Sequence, residues 1–401
     1  MKLFLLKIII KINNFICNLF SVDDMRNGQT SSKYTTNTLT PATFYKEKAD
    51  LYHYNKSYKP QWIDIFENGF TIPEVYYVQF NKCYLIGRGL LLNANKKIFL
   101  ESAFFQREYL NKLRVGHLLI KNIFSSPKKE LNNIIPLMNR LSNNYFHWTA
   151  ESLTRIALLI KYVPGFKDNY TIAINADAPV FVTDSLQYII GWPSDKIIRT
   201  GKNDVAKVEN CIMISYPALR DKSTSMYYAY PSSIFTTLNH FAFQNIGSKN
   251  EQSLTHFIVS RANANGRNLI NENQVLDRLP MMPLTTVHLE KMSFLEQVKL
   301  FQHAKLIIAP HGAGLTNLVY CNKDAVVIEL FPIGRGINQT SMYYQISKAI
   351  GLRYHILMVK PENAKEDMIA DDALITEMEN ICINYKLMEL DSAKLKEKLS
   401  S

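Results

Sequence analysis

Between residues 305 and 332 the chain reads KLIIAPHGAGLTNLVYCNKDAVVIELFP, and few folds accommodate such a stretch. Residues 305–309 are a short apolar run of the kind that forms a buried strand. His311, Gly312, Ala313 and Gly314 then make a turn open only to small residues, and 315–320 continue as a helical turn. A second β-branched run over 325–330 carries Glu329 at its end, followed by Phe331 and Pro332. The first backbone N–H groups of a helix point outward unpaired and its dipole adds partial positive charge, so this turn suits a phosphate. The same two glycines also fit a ligand-free αβ turn that needs small residues for close packing. Glu329, at the carboxyl end of the following strand, can accept hydrogen bonds from a ribose, as acidic residues do in dinucleotide folds.

The surrounding pattern gives the turn its context. Strands over 256–260, 285–289 and 354–359 and helices over 272–279, 294–304 and 342–350 flank it. Strand–helix alternation at this spacing predicts a parallel, doubly wound sheet. Arg261 follows the first strand, Glu290 the second, His311 and its glycines the third, and Glu329 closes the fourth. Ligands bind such sheets at the carboxyl ends of their strands. Asn317, inside the helical turn, is a further candidate at that edge.

The first half is less regular. Short β-rich runs over 75–80, 83–86, 90–93 and 98–100, separated by Asn-Lys, Gly-Arg-Gly and Asn-Lys-Lys turns, predict an antiparallel meander, with 118–122 as one more strand. A helix over 143–162 is stopped by Val163-Pro164-Gly165. Strands over 170–174, 196–199 and 211–215 and helices over 180–190 and 231–245 follow, and 247–253 is a polar link.

A chain of 401 residues exceeds what one core usually holds. The expected domains are 1–60, an amphipathic segment and linker; 61–246, a first α/β domain; 252–365, a Rossmann-like domain; and 366–401, a helical tail. Lysines 2, 7 and 11 interrupt residues 1–20, so no run approaches a spanning helix or the core of a cleavable signal. Wound as a helix, that segment has a polar stripe opposite Leu3, Leu6 and Ile10, which suits a peripheral membrane contact or a docked terminal helix. The net charge of +11 favours an anionic partner. Nucleic acid is the poorest candidate, because the basic residues are dispersed and no reading motif occurs. The five cysteines are scattered, with no C-x-x-C, which indicates neither a disulfide framework nor a zinc site and favours a reducing compartment.

Two groups of residues carry potential chemistry. Arg261 and Arg267 lie on the loop leaving the first strand of the second half, where bidentate, permanently charged side chains suit a diphosphate or simply face solvent. His311 can donate to a phosphate or serve as a structural histidine. In the helix over 143–162, Asn144, His147, Glu151 and Arg155 recur at three- and four-residue spacing and share a face. If that face lines a cleft between the domains, Glu151 or His147 can remove a proton from an acceptor hydroxyl while Arg155 holds the carboxylate ionised. The competing reading is an exposed Glu151–Arg155 pair worth a few tenths of a kcal/mol. No Asp-x-Asp occurs, so the usual carboxylates for a divalent ion on a diphosphate are missing, and charge would be met by arginine and helix dipole without metal.

N-Y-F-H-W-x-x-E-x-L-x-R over 144–155, I-V-S-R…R…N-E over 258–272, and A-P-H-G-A-G-L-T-N-L-V-Y…V-V-I-E-L-F-P over 309–332 together resemble the family 61 glycosyltransferases, in order and spacing, across roughly residues 75–360. The resemblance implies two Rossmann-like lobes of the GT-B type, inversion at the anomeric carbon, no metal and no cofactor, and a nucleotide-diphosphate sugar donor, commonly a UDP-sugar. By position it places Arg261, Arg267, His311, Gly312, Ala313, Gly314, Thr316 and Glu329 at the donor. His147, Glu151 and Arg155 fall at the transfer centre on the acceptor side, with Glu151 preferred as base and His147 as the alternative. Eukaryotic members are lumenal and membrane-anchored, whereas no spanning segment is expected in residues 1–60, which lie outside the resemblance. The expectation is a cytoplasmic enzyme, peripheral at an anionic membrane, that builds a surface polysaccharide or glycolipid. The rival expectation is a nucleotide- or glycan-binding protein of the same fold without catalysis.

Overall fold

The computed structural model describes residues 22–23, 36–46, 62–94, 98–102, 127, 129–221, 226–247, 255–279, 284–334 and 341–387. The helix expected over 1–20, the strand over 118–122, most of the polar link over 247–253 and the tail beyond 387 lie outside the described residues. The chain divides into two compact units, Met1–Thr43 with Pro73–Ala218 and Phe44–Ile72 with Leu219–Ser401. The fold is mixed α/β with parallel strands in both, and among the described residues no helix is long and apolar enough to cross a membrane.

The first unit is built on one sheet. Its main strands are β1 (Val75–Ile86), β2 (Leu90–Asn93), β3 (Lys129–Pro136), β4 (Thr171–Asn175), β5 (Ile197–Thr200) and β6 (Val205–Ile214). Their spatial order is β2-β1-β6-β3-β4-β5. The β2/β1 and β1/β6 pairs are antiparallel, and β6, β3, β4 and β5 are mutually parallel. The meander is therefore real, but the Asn81-Lys82 turn is not. Those residues continue β1, with Lys82 opposite Glu209 in the ladder, because a polar pair on an exposed strand face needs no turn. β3 had no apolar signature: its first half, Lys-Glu-Leu-Asn-Asn, is polar and Asn133 has a positive φ of 53°. Only Ile134, Ile135 and Pro136 are buried there.

The helix read over 143–162 is present in two parts, a π-helical segment His147–Leu153 and α1 (Thr154–Tyr162). Trp148, 1% exposed, donates from Nε1 to the buried Ser185 Oγ at 2.8 Å, which ties this helix to α2 (Val180–Tyr188).

The second unit contains α3 (Ser232–Ile246) and a five-stranded parallel sheet. Its elements run β7 (Thr255–Val259), α4 (Glu272–Arg278), β8 (Leu284–Val287), α5 (Phe294–Gln302), β9 (Ala304–Pro310), β10 (Val326–Pro332), α6 (Ser341–Ile350), β11 (Arg353–Val359) and α7 (Asp372–Asn384). The spatial order is β8-β7-β9-β10-β11. The chain thus moves to one side of β7 and then crosses to the other, leaving a switch point between β7 and β9. Alternation with period two sends Leu306, Ile308, Val326, Ile328, Leu330, Leu357 and Val359 to one face. There they pack with Val275 and Leu279 around α4 and with Ile375, Met378, Ile381 and Cys382 of α7. The start of the segment read as a tail is therefore core structure. Asp371 caps α7, its side chain accepting from Leu374 N at 2.8 Å.

Met378 is fully buried in this cluster. Met378→Ala is expected to destabilise the protein by about 2–5 kcal/mol, the usual cost of emptying a core site. Chemical denaturation measures it, and a shift below about 0.5 kcal/mol, the range of surface substitutions, would mean that α7 does not seal the core.

Candidate active site

In the second unit the loops leaving β7 and β9 converge at the switch point, where open α/β sheets bind their ligands. A cleft of about 260 Å³ opens there. Its apolar floor includes Val259, Ala309, Pro310, Leu289 and Leu315, and its polar groups include Arg261, Asn263 and Glu290. Gly312 and Gly314 complete the wall.

The loop after β7 is held in place by the segment before α7. Asn268 N donates to Asp367 Oδ1 at 2.9 Å and Arg267 N to the Lys365 carbonyl at 2.9 Å. The Asn268 N–H first and the Asn363 side chain next hold the Asp367 carboxyl below its usual range. Gly266 has φ of +106°, and a Cβ there would stand 2.3 Å from the Lys365 oxygen, so only glycine fits. Its carbonyl accepts from Arg261 Nε and Nη2 at 3.2 and 3.1 Å, aiming the guanidinium across the cleft.

The glycines of the 309–332 motif act by proximity rather than by unusual backbone. Gly312 is extended, at φ 176°, and precedes a 3₁₀ helix, Ala313–Tyr320. A Cβ on Gly312 would lie 2.3 Å from Arg261 Nη1, and one on Gly314 would lie 2.7 Å from Leu289 Cδ1. The turn is small so that the arginine can cross it. Tyr343 donates to the Gly312 carbonyl at 2.6 Å, and Arg267 Nη1 to the His311 carbonyl at 2.7 Å. Thr316 and Asn317 are fully buried. Asn317 Nδ2 donates to Gln297 Oε1 at 3.1 Å, and Gln297 Nε2 donates to the Leu289 carbonyl at 2.9 Å.

Glu329 does not reach the strand end. β10 runs three residues further, through Leu330, Phe331 and Pro332, so Glu329 sits mid-strand and fully buried. Its carboxylate is engaged from both oxygens, by His311 Nδ1 at 2.5 Å on Oε1 and by the Tyr354 hydroxyl on Oε2. The ribose contact expected of it is not available in this arrangement. An ionised carboxylate only accepts, so in this pair Nδ1 of His311 is the donor. Burial first, and Glu329 second, push the Tyr343 and Tyr354 hydroxyls above their ordinary range, so both stay protonated donors.

In the first unit the helical face read from sequence is assembled around a second His–Glu pair. His147 Nδ1 meets Glu151 Oε2 at 2.8 Å, with side-chain exposures of 17% and 0%. A fully buried carboxylate excludes the exposed ion-pair reading. Arg155 is also buried, and it donates from Nε to the Glu151 carbonyl at 2.7 Å and from Nη1 to the Ile214 carbonyl at 3.0 Å. Burial lowers its guanidinium from the ordinary value, opposed by Tyr216 and then Glu151. Asn144 caps the helix, its Oδ1 accepting from Phe146 N and His147 N at 3.0 and 3.3 Å. The π-helical widening over these residues had no sequence signal; such turns are frequent at functional sites.

Of the residues singled out from sequence, Arg261, Gly312, Gly314 and Glu290 line the cleft, and Arg267, His311, Thr316, Asn317 and Glu329 do not. Ala313, partly exposed, opens the 3₁₀ helix. His147, Glu151, Arg155 and Asn144 group together on their own helix. Asn263, Gly266, Asp367, Tyr343 and Tyr354 were missed. The Asn-Gly dipeptide at 265–266 is the one turn signal that marked any of them. Among the described residues no three His, Cys, Asp or Glu side chains are grouped to hold a metal.

Residues 145–328 match the family model of glycosyltransferase 61. Among curated proteins, the chain is 29% identical over 137 residues to protein O-linked-mannose beta-1,4-N-acetylglucosaminyltransferase 2 of Xenopus tropicalis, covering 32% of this chain and 23% of that one. The Xenopus laevis protein of the same name is 30% identical over the same share of each chain. The Mus musculus protein is 27% identical over 99 residues, or 24% of this chain and 17% of that one. The matched region thus spans less than a quarter of these relatives. Both comparisons support a transferase.

Gly312→Ala is expected to displace the Arg261 guanidinium and to weaken binding of inorganic pyrophosphate at least about tenfold, the worth of one charge-assisted hydrogen bond. Calorimetric titration measures it; unchanged affinity would show that Arg261 does not meet anions in this cleft.

Proposed function

We propose, from the premise that residues 145–328 are a glycosyltransferase 61 region, that the chain transfers a sugar from a nucleotide-diphosphate donor to a glycan or glycolipid hydroxyl. The observation that supports this most is the cleft at the β7/β9 switch point, with a guanidinium aimed across it over a glycine. A diphosphate there is met by Arg261, and Arg267 and His311 stiffen the same turn from behind. The donor is a UDP-sugar in this reading, and the relatives' names make N-acetylglucosamine the first sugar to try. In this reading the unit of residues 1–43 and 73–218 serves the acceptor and the unit of residues 44–72 and 219–401 the donor, as the lobes of a GT-B transferase do. We place the enzyme on the cytoplasmic side, peripheral to a membrane, in surface polysaccharide synthesis.

Transfer with inversion is a single displacement. The acceptor oxygen bonds to the anomeric carbon as the bond from that carbon to the phosphate oxygen breaks, and the hydroxyl proton leaves to a base. The nucleoside diphosphate departs with the bonding electron pair, its charge held by arginine and backbone N–H groups rather than by a metal. The burial of Glu151 changes the order of preference between the two candidate bases. His147 is the member of the pair open to solvent, so it takes the proton, while Glu151 orients the ring and stabilises the imidazolium that forms. Arg155 fixes the helix beneath them.

Release of UDP in the presence of an acceptor panel tests this. His147→Ala is expected to lower turnover about 10²–10⁴-fold, and adding Glu151→Gln to it should cost little more, because the two act as a unit. Full turnover in His147→Ala would remove the pair from the mechanism. If UDP binds but is never released by transfer, the non-catalytic nucleotide-binding reading stands instead.

A further inference from the structure

Tyr343, in the first turn of α6, is buried and lies beyond the matched family region. Its ring stands 5.3 Å from that of His311, which is itself 4.7 Å from Phe331, so the phenol is wedged beside the residue that opens the turn after β9. From there its hydroxyl donates to the Gly312 carbonyl at 2.6 Å. Leu315 N donates to the same oxygen at 3.0 Å, which engages both of its lone pairs. Burial keeps the Tyr343 hydroxyl above its ordinary range, with Glu329 adding to the effect, so it remains a proton donor through neutral pH. A second carbonyl of the turn is held in the same manner, that of His311 by Arg267 Nη1 at 2.7 Å.

These bonds decide where the amides of the turn face. The peptide between Gly312 and Ala313 is trans, and a planar trans peptide directs its N–H opposite to its C=O. With the carbonyl drawn toward Tyr343 and Leu315, the Ala313 N–H points out of the start of the 3₁₀ helix. Among the described residues neither this N–H nor that of Gly314 has a hydrogen-bond partner. Gly312 and Gly314, which flank Ala313, both line the cleft that Arg261 crosses. Glycine lets an adjoining peptide plane rotate at little steric cost, so Gly312 by itself does not choose between presenting an N–H and presenting a carbonyl. An N–H there attracts a phosphate oxygen, and a carbonyl repels it.

We infer that Tyr343 is a positioning residue for the diphosphate: acting through the Gly312 carbonyl, its hydroxyl holds the 312–313 peptide with the N–H facing the cleft, beside the Arg261 guanidinium. The charge that gathers on the diphosphate as its bond to the sugar breaks then falls on donors already in place. This rests on the proposed nucleotide site and adds to it a residue from outside the family region. The effect is confined to ligands that carry phosphate, because a nucleoside without it gains nothing from the oriented amide.

The test titrates the full chain with UDP and with uridine, which lacks the phosphates, in the unsubstituted protein and in Tyr343→Phe. That change keeps the ring against His311 and removes only the O–H. UDP affinity is expected to fall about three- to tenfold, the worth of one hydrogen bond, and uridine affinity to stay the same. The melting temperature checks that the fold is kept. In the unsubstituted protein, inorganic pyrophosphate is expected to slow amide hydrogen exchange in the peptide that covers 312–315, which probes the same amides without a substitution. Unchanged UDP affinity in Tyr343→Phe, or equal losses for UDP and uridine, overturns the positioning role, and so does exchange that pyrophosphate leaves unaltered. In each of these cases the nucleotide site stands as long as Arg261→Ala weakens UDP binding. UDP binding that ignores Arg261→Ala, or no UDP binding at all, overturns the site and the positioning role together.

Discussion

An arginine side chain and a glycine occupy the same few ångströms at the centre of the second unit, and the organisation of its ligand edge follows from that crowding. Arg261 can lie across the turn after β9 only because residue 312 has no Cβ. The arginine stays there because Gly266, in a conformation closed to other residues, offers it a carbonyl. That loop in turn depends on Asp367 and Lys365, which precede a helix sealing the far side of the sheet. The Gly266 carbonyl takes two donors of the guanidinium, and the Asp367 carboxyl feels the same positive charge.

Both units bury a glutamate completely and set a histidine against it: Glu151 with His147, and Glu329 with His311. Removing a carboxylate from water is costly unless it is paired and hydrogen-bonded. Each pair meets that condition differently. Glu329 is enclosed by His311 and a tyrosine hydroxyl, and its histidine is itself buried, so the pair stiffens the turn above it. Glu151 faces a histidine that retains access to solvent, which suits a group that exchanges protons. The same two residue types thus brace a turn in one unit and, in the proposed reading, move a proton in the other, and exposure of the histidine distinguishes them.

Much of the second unit was legible in the sequence because β9, β10 and β11 are buried on both faces and its helices amphipathic, so period and punctuation agree. The positions of Arg261, Glu290 and His311 after successive strands followed directly. The role of Glu329 did not, because a run ending in Leu-Phe-Pro reads as a strand that has already stopped, whereas β10 continues through Pro332. Close approach was one of the two readings open for the glycines, but sequence does not reveal that the side chain crossing the turn is Arg261. In the first unit β3 stayed hidden behind its polar half. The π-helical segment leaves no compositional trace, yet it is where His147 and Glu151 meet. The matching family region, 145–328, includes β7 through β9 and only the start of β10, and ends before Tyr343 and Tyr354, which brace the turn after β9 and Glu329 from beyond it.

The central claim is that a nucleoside diphosphate binds at the strand ends of the second unit, between the loop after β7 and the turn after β9. Photolabelling of the full chain with an azido-UDP, followed by peptide mapping, addresses it most directly. The account predicts that label falls on peptides containing 259–267 and 289–315 and is competed away by UDP. Competable label confined to other segments would contradict it.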